Sequence, residues 1–197
     1  MPENAYFCSR NCKYIIALTP AEYIQLKAFA RYDGLLLALL WTVAFVCYLV
    51  GLGQPLYGMV ALLLMVTSPF YVARRLRRFR DQDRNGVISL MRGWAFYILV
   101  FFYGAILLAV VQYVYFAFLD HGYVLSAVTT ALSAPEAKTA LEQSGLSDQL
   151  NQSLQQLQEL RPIDFALNVL TVNITLGIIL GLPFAVMMKR KSNDHSQ

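Results

Sequence analysis

The sequence predicts an all-α membrane protein, a polytopic bundle of four transmembrane helices with an N-terminal cytoplasmic helix and a short extracytoplasmic amphipathic helix. Of the 197 residues, 57% are hydrophobic and only 14% are charged, whereas soluble domains average about 25% charged residues. The uncharged stretches are also long enough to cross a bilayer. These two observations exclude a soluble enzyme, a disordered chain and a nucleic-acid-binding module, so no nucleic-acid partner is expected.

The N-terminal segment, residues 1–33, is the first cytoplasmic part of the predicted topology. Its residues Thr19-Pro20-Ala21-Glu22 match a capping box with proline at the first helical position. A helix should therefore begin at about Pro20 and run toward, or into, the first span.

The first two spans come from one uncharged stretch of 40 residues, Gly34 to Ala73. A single helix of this length would measure about 60 Å, twice the thickness of the hydrocarbon core. The chain must therefore fold back, and the glycine- and proline-rich segment Gly51–Pro55 is the expected turn. The two spans then cover roughly residues 34–50 and 56–73.

The cytoplasmic link, residues 74–92, should begin as a continuation of the second helix. Val72, Leu76 and Phe79 form one apolar stripe, which predicts helix as far as about Asp83. A turn signal at Asn85-Gly86 follows. Ser89 is then suited to cap the helix of the third span, residues 93–119. The first three spans together therefore lie within residues 34–119.

The extracytoplasmic loop, residues 120–164, is the longest connection. Ser147-Asp148 can cap a short amphipathic helix whose stripe contains Leu150, Leu154 and Leu157. Pro162 suits the first turn of the next helix, and Asp164 suits the positive end of its dipole. The fourth span should cover residues 165–188, followed by a cytoplasmic tail at 189–197.

The distribution of basic residues predicts the orientation. Fourteen of the sixteen Lys and Arg residues fall on one side of a four-span chain. The positive-inside rule places that side in the cytoplasm. We therefore expect a multi-pass protein of the bacterial inner membrane with both termini in the cytoplasm.

The link between the second and third spans contains a cluster of arginines. These side chains could contact lipid phosphate or an acidic partner, or they could serve topology alone. The arginines assigned to this candidate contact are Arg74, Arg75, Arg77, Arg78, Arg80 and Arg84.

The predicted spans contain no Asp, Glu, Lys, Arg or His, although proton-coupled transporters usually carry such groups in their paths. The polar and small residues that remain are expected to serve helix packing. Gly177 and Gly181 form a GxxxG motif in the fourth span. The other residues assigned to packing are Gln112, Asn168, Thr171 and Thr175.

No catalytic, metal or cofactor site is predicted. Asp120-His121 could form half of a dyad, but no nucleophile motif accompanies it. Cys8 and Cys12 would supply only two ligands to a metal ion. We therefore expect no enzymatic activity of the chain's own.

Three segments resemble a Bacteroidota family of small four-span inner-membrane proteins catalogued as a domain of unknown function. They are residues 19–23 with 29–34, the turn around Pro55, and residues 84–89. The resemblance covers most of the chain and is weakest over residues 120–164. Members of this family are often encoded near polyprenyl-phosphate-type glycosyltransferases, so the resemblance implies an accessory role in envelope glycan assembly.

Two functions remain open from the sequence. The first is a non-catalytic accessory or scaffold protein that acts with membrane lipids, with copies of itself or with a membrane-associated glycosyltransferase. The second is a transporter or flippase of a lipid-linked anion, with Asn168, Thr171 and Asn173 along its path. The second function predicts a hydrated cleft between the third and fourth spans.

Overall fold

A computed structural model describes residues 20–83, 86, 88–135, 139, 143 and 147–189 of the chain. The described part is all-helical. Residues 1–19 and 190–197, and with them Cys8 and Cys12, lie outside it, as does Arg84. The helices are α1 (Pro20–Gly51), α2 (Pro55–Asp83), α3 (Leu90–Phe118), α4 (Tyr123–Ser133), α5 (Ser147–Glu159) and α6 (Pro162–Met188).

Four of these helices, α1, α2, α3 and α6, are long and apolar enough to cross a membrane. α1 runs without a break from Pro20 through the predicted first span, and α2 continues past Ala73 to Asp83. α5 begins at Ser147, where the sequence predicts a short helix. The apolar helix α4 was not predicted; its residues lie within the long connection expected at residues 120–164.

α3 is the central helix of the bundle. It packs along both α1 and α6, and α1 also packs along α2, whereas α2 meets α3 and α6 over much smaller areas. One end of the bundle carries the arginines of α2 and the last residue of α6; we call it the basic end. The opposite end carries the turn at residues 52–54 and the connection from α3 to α6; we call it the loop end.

Local sequence signals explain where the long helices begin. The Ser89 hydroxyl accepts a hydrogen bond from the backbone N–H of Arg92 and caps α3. α6 starts at Pro162, and the Asp164 carboxylate accepts the N–H of Arg161. At the tight turn between α1 and α2, a Cβ added to Gly51 would lie 2.5 Å from the backbone nitrogen of Gly58. Glycine at position 51 therefore allows the two helices to approach this closely.

Aromatic side chains fill the half of the bundle toward the basic end. Phe79 of α2 lies between Phe29 of α1 and Phe96 of α3, with ring centroids 5.2 Å apart in both pairs. Tyr97 stacks between Phe101 and Phe184, which joins α3 to α6. Such ring pairs stabilise beyond the apolar area that they bury, so this half is a packed core.

A proline interrupts the backbone ladder of α2 at position 69. Proline has no N–H to give to the carbonyl four residues earlier, and that carbonyl, on Met65, accepts a 2.7 Å hydrogen bond from the Ser68 hydroxyl instead. The Tyr97 hydroxyl donates to the Pro69 carbonyl at 2.7 Å. Side chains therefore replace the missing bond and tie this part of α2 to α3.

Candidate functional site

The arginines of α2 divide into two groups, and the first group points into the bundle. The Arg75 guanidinium forms an ion pair with Asp33 of α1, whose carboxylate is only 2% exposed. A small cavity of about 110 Å³ lies beside the pair and is lined also by Phe29, Arg78 and Phe79. Arg75 was expected to contact lipid or a partner, but it joins α1 to α2.

Arg80 also serves the bundle. Its side chain is 6% exposed, and it donates from Nη1 to the carbonyl oxygen of Met188 at 3.1 Å. It also pairs with the Asp81 carboxylate, with Nε 2.7 Å from Oδ1. A cation on the last carbonyl of α6 is favourable because the C-terminal end of a helix carries partial negative charge. Arg80 thus links α2 to α6 at the basic end, although the sequence had indicated a lipid or partner contact for this residue.

The second group consists of Arg74, Arg77 and Arg78, which are exposed; Arg78 also borders the small cavity beside Asp33. They lie within slightly more than one helical turn, so their guanidinium groups occupy one face. We call these three residues the arginine face. Arg84, the sixth member of the cluster, lies outside the described residues.

A cavity of about 810 Å³ occupies the half of the bundle toward the loop end. All four long helices contribute to its wall, and the side chains are mainly aliphatic and aromatic. α4 covers it at the loop end with Val124, Leu125 and Val128. The volume lies within the range of about 300–1,000 Å³ that is typical of small-molecule sites.

The cavity is open between α2 and α6. Leu62 of α2 and Val172 of α6 both line it, yet they are 67% and 50% exposed. Toward the basic end the two helices are in contact, and the rings of Phe70 and Phe184 meet there at 5.7 Å. The opening therefore faces sideways, toward the hydrocarbon that surrounds a membrane bundle.

Two polar side-chain atoms that are fully enclosed by the protein have no hydrogen-bond partner among the described residues. They are the indole Nε1 of Trp41 and the amide Oε1 of Gln112. The two residues are 2% and 8% exposed, and both line the cavity. One atom is a donor and the other an acceptor, and leaving such groups unpaired costs free energy.

Asp120 and His121 form no dyad in the structure. The Asp120 carboxylate accepts the backbone N–H groups of Gly122 and Val124, both at 3.1 Å, at the start of α4. The His121 ring nitrogen Nδ1 lies 3.0 Å from the carbonyl oxygen of Leu119. Asp120 therefore acts as a cap that orients α4 over the cavity.

The two glycines of the GxxxG motif lie where α6 meets α3, and both are buried. A Cβ added to Gly177 would lie 2.5 Å from the Cβ of Phe101, and one added to Gly181 would lie 3.1 Å from the Trp94 ring. Glycine thus allows α6 to pack directly on α3. No cleft separates these two helices along this contact; the cavity lies between them and α1 and α2.

The other polar residues assigned to packing occupy different positions. Thr171 and Thr175 are exposed, and each hydroxyl donates at 2.8 Å to the carbonyl four residues earlier in α6. They make no interhelical hydrogen bond within the described chain. Asn168 lines the cavity, as does Asn173, whose amide donates to the Val169 carbonyl. Gln112 lies in the cavity wall.

Trp41 and α4 were not predicted as parts of the site. No sequence signal shows what the indole N–H of Trp41 faces. α4 had a usable signal: residues 122–135 contain no charged side chain, and Val124, Leu125, Val128 and Leu132 fall on one helical stripe.

The four long helices, the packed basic end and the cavity between the helices define a multi-pass α-helical membrane protein. The model of the DUF4199 family, described as proteins of unknown function, matches residues 32–190. This match covers most of the chain, which therefore belongs to the DUF4199 family. Comparison with curated proteins and with solved structures gave no match.

Proposed function

We propose that this chain is a non-catalytic accessory or scaffold protein of the bacterial inner membrane. It acts by holding an anionic partner, or the anionic headgroups around that partner, at its basic end. In this proposal both termini and the basic end face the cytoplasm. The partner is a second copy of the chain or a membrane enzyme such as a polyprenyl-phosphate-type glycosyltransferase.

The observation that carries the proposal is the division of the arginines. Arg75 and Arg80 are neutralised within the bundle by Asp33 and by Asp81 with the Met188 carbonyl. The arginine face is exposed and adds three positive charges to one side of α2. Guanidinium groups suit phosphate and carboxylate because they donate two parallel hydrogen bonds.

In-membrane photocrosslinking tests this proposal with the full chain in native membranes. A photoreactive residue replaces Met187, which lies at the basic end of α6 and is 72% exposed, and a control replaces Met59, which is 64% exposed near the loop end. We expect a discrete adduct from position 187 only. The triple variant R74Q/R77Q/R78Q should lose the adduct.

Two controls separate this role from topology. The accessibility of a tag at each terminus reports insertion, and the variant K189Q removes a basic charge at the same end without touching α2. Loss of the adduct with normal insertion supports the proposal. An adduct that survives in the triple variant would contradict it, and so would inverted insertion as the only effect.

The alternative function, a flippase of a lipid-linked anion, has less support from the geometry. Asp120 is the one Asp, Glu, Lys, Arg or His residue among the cavity-lining residues, and its negative charge disfavours a phosphate group nearby. Thr171, which was expected along the path, is exposed and does not line the cavity. The arginine face lies at the other end of the bundle.

A further inference from the structure

We propose that the small cavity beside the Asp33–Arg75 pair binds a phosphate group, with Arg75 and Arg78 as its ligands. The cavity lies between α1 and α2 at the basic end. The site shares Arg78 with the arginine face, so this inference rests on the proposed function and names the chemistry of the anion. It also assigns the anion to one position and not to the arginine face as a whole.

Arg75 uses only part of its guanidinium for the ion pair. Its Nε and Nη2 both contact Oδ1 of Asp33, and Nη1 makes no hydrogen bond to another described residue. Within the described part of the chain, the enclosed side-chain atoms without a partner belong to Trp41 and Gln112, so Nη1 of Arg75 is accessible. A guanidinium carries five N–H donors in a fixed plane. Asp33 therefore holds Arg75 in one orientation and leaves Nη1 available to a second acceptor.

Arg78 is the second cation at the cavity. It is exposed, it follows Arg75 by three residues on the same face of α2, and both residues line the cavity. No hydrogen bond or ion pair joins Arg78 to another described side chain. Gln82, one turn further along α2, adds an amide to the lining. The cavity therefore offers several N–H donors that the bundle itself does not use.

The charges and the size of the cavity favour an anion with a single negative charge. Two guanidinium groups and one carboxylate line the cavity, which leaves one positive charge to be balanced. Its volume of about 110 Å³ is several times the roughly 10–15 Å³ that one water molecule requires, so a phosphate group has room to enter. Guanidinium groups bind phosphate oxygens through parallel hydrogen bonds. A phosphodiester, which carries one negative charge, matches this site better than a phosphomonoester, which carries about −1.5 to −2.

The position of the cavity along α2 favours a lipid headgroup as the source of the phosphate. The uncharged stretch ends at Ala73, and Arg75 and Arg78 follow it by about 3 and 7.5 Å along the helix. The headgroup region of a bilayer extends about 5–8 Å beyond the hydrocarbon. The Arg75 guanidinium also lies over the ring of Tyr32, which is 58% exposed, so the ion pair reaches the outer surface of the bundle. Free phosphate from the aqueous phase has the same chemistry, and experiment must separate the two sources.

Native mass spectrometry of the purified full-length chain in neutral detergent measures lipid binding without any partner. Phosphatidylglycerol is compared with a diacylglycerol of the same acyl chains, because the two lipids differ only in the phosphate-linked headgroup. Equilibrium dialysis of the same protein measures the binding of inorganic phosphate. We expect phosphatidylglycerol to bind more tightly than the diacylglycerol. Binding that depends on Arg78 supports the proposal in either arm, and the arm in which it is found identifies the source of the phosphate.

Three single variants locate the site. R78Q should weaken phosphatidylglycerol binding by about tenfold, the worth of one hydrogen bond to a charged group. R77Q removes the same charge from a neighbouring exposed residue that does not line the cavity, and it should change binding far less because salt screens exposed charges. R75K keeps a positive charge beside Asp33 but lacks the planar fork of donors, so it should also weaken binding. An unfolding midpoint of R75K close to that of the unmodified chain shows that the ion pair survives.

The results separate this site from the arginine face as a whole. Equal losses in R77Q and R78Q would overturn the proposal, because binding would then depend only on the charge of the face. The proposal would also fail if phosphatidylglycerol bound no more tightly than the diacylglycerol and inorganic phosphate showed no binding that depends on Arg78. Neither result decides the crosslinking from position 187, which reports the partner and succeeds or fails independently.

Discussion

The carboxylate of Asp33 on α1 accepts hydrogen bonds from the guanidinium of Arg75 on α2, and the acidic partner is the more deeply buried of the two. The side chain of Arg75 is 20% exposed and that of Asp33 only 2%. The pair joins the first two helices where they emerge toward the basic end. Because the two partners differ in burial, their removal should differ in cost.

The first prediction concerns this asymmetry. R75M leaves a buried carboxylate without its counter-charge, and we expect it to lower the free energy of unfolding by about 3 kcal/mol. D33L should cost less, because Arg75 can turn its head toward the surface. The double variant should be more stable than R75M alone. Reversible unfolding of the purified protein in detergent measures all three, and a larger loss in D33L than in R75M would refute this reading.

The second prediction concerns the close packing of α6 on α3. G177A places a methyl group 2.5 Å from the Cβ of Phe101, so the helices must separate, and overpacking of this kind costs about 1–3 kcal/mol. G181A should cost less, because its nearest neighbours lie beyond 3.0 Å. G53A serves as a control, since its added Cβ would have no neighbour within 3.8 Å. The same unfolding measurement should rank the three variants in this order.

The third prediction concerns the cap of α4. D120A removes the acceptor of two backbone N–H groups, and the loss of such a cap costs about 1 kcal/mol. α4 should then leave its position over the cavity more often. In a background without native cysteines, V128C should react faster with a thiol reagent in D120A than with Asp120 present. S89A, which removes a cap at the basic end, should leave the rate unchanged; equal rates in all three proteins would contradict the assigned role.

The fourth prediction concerns the unpaired side-chain oxygen of Gln112. Q112L replaces an unpaired buried acceptor by an apolar group of similar size, so it should raise the free energy of unfolding in detergent by about 1 kcal/mol. N173L should not stabilise in the same way, because the Asn173 amide already donates to the Val169 carbonyl. A lower stability of Q112L would show that the Gln112 oxygen is satisfied.

The spans could be predicted from the sequence because their signal is one-dimensional. A run of uncharged residues has a length, and the length alone decides whether it crosses a bilayer once or must turn. The turn before Pro55 and the cap at Ser89 are equally local. The start of α1 at Pro20, well before the uncharged run, follows from the capping pattern.

The partners of the buried polar groups could not be predicted in the same way. Asp33 and Arg75 are 42 residues apart, and the sequence does not say which helices meet. One signal was present: Arg75 stands three residues after Val72 and four before Phe79, so it belongs beside the apolar stripe and not on the outer face. Arg80, four residues after Leu76, also lies beside this stripe.

The polar residues of α6 show the limit of helical periodicity. Thr171 and Thr175 share a face, and the sequence alone allows that face to meet another helix. In the structure this face points outward, and both hydroxyls donate to backbone carbonyls of α6. α3 packs against the side of α6 that carries Gly177 and Gly181, and this contact determines which side of α6 faces the interior of the bundle.

The close packing of α6 on α3 at two glycines bears on the role of the connection between these two helices. The connection between these helices runs through α4 and α5, yet the α3–α6 contact itself consists of residues on the two long helices. Continuity of the peptide chain is therefore not what holds the last span in place. Two fragments, one ending after α4 and one starting before α5, should find each other in the lipid phase and rebuild the same four-helix unit.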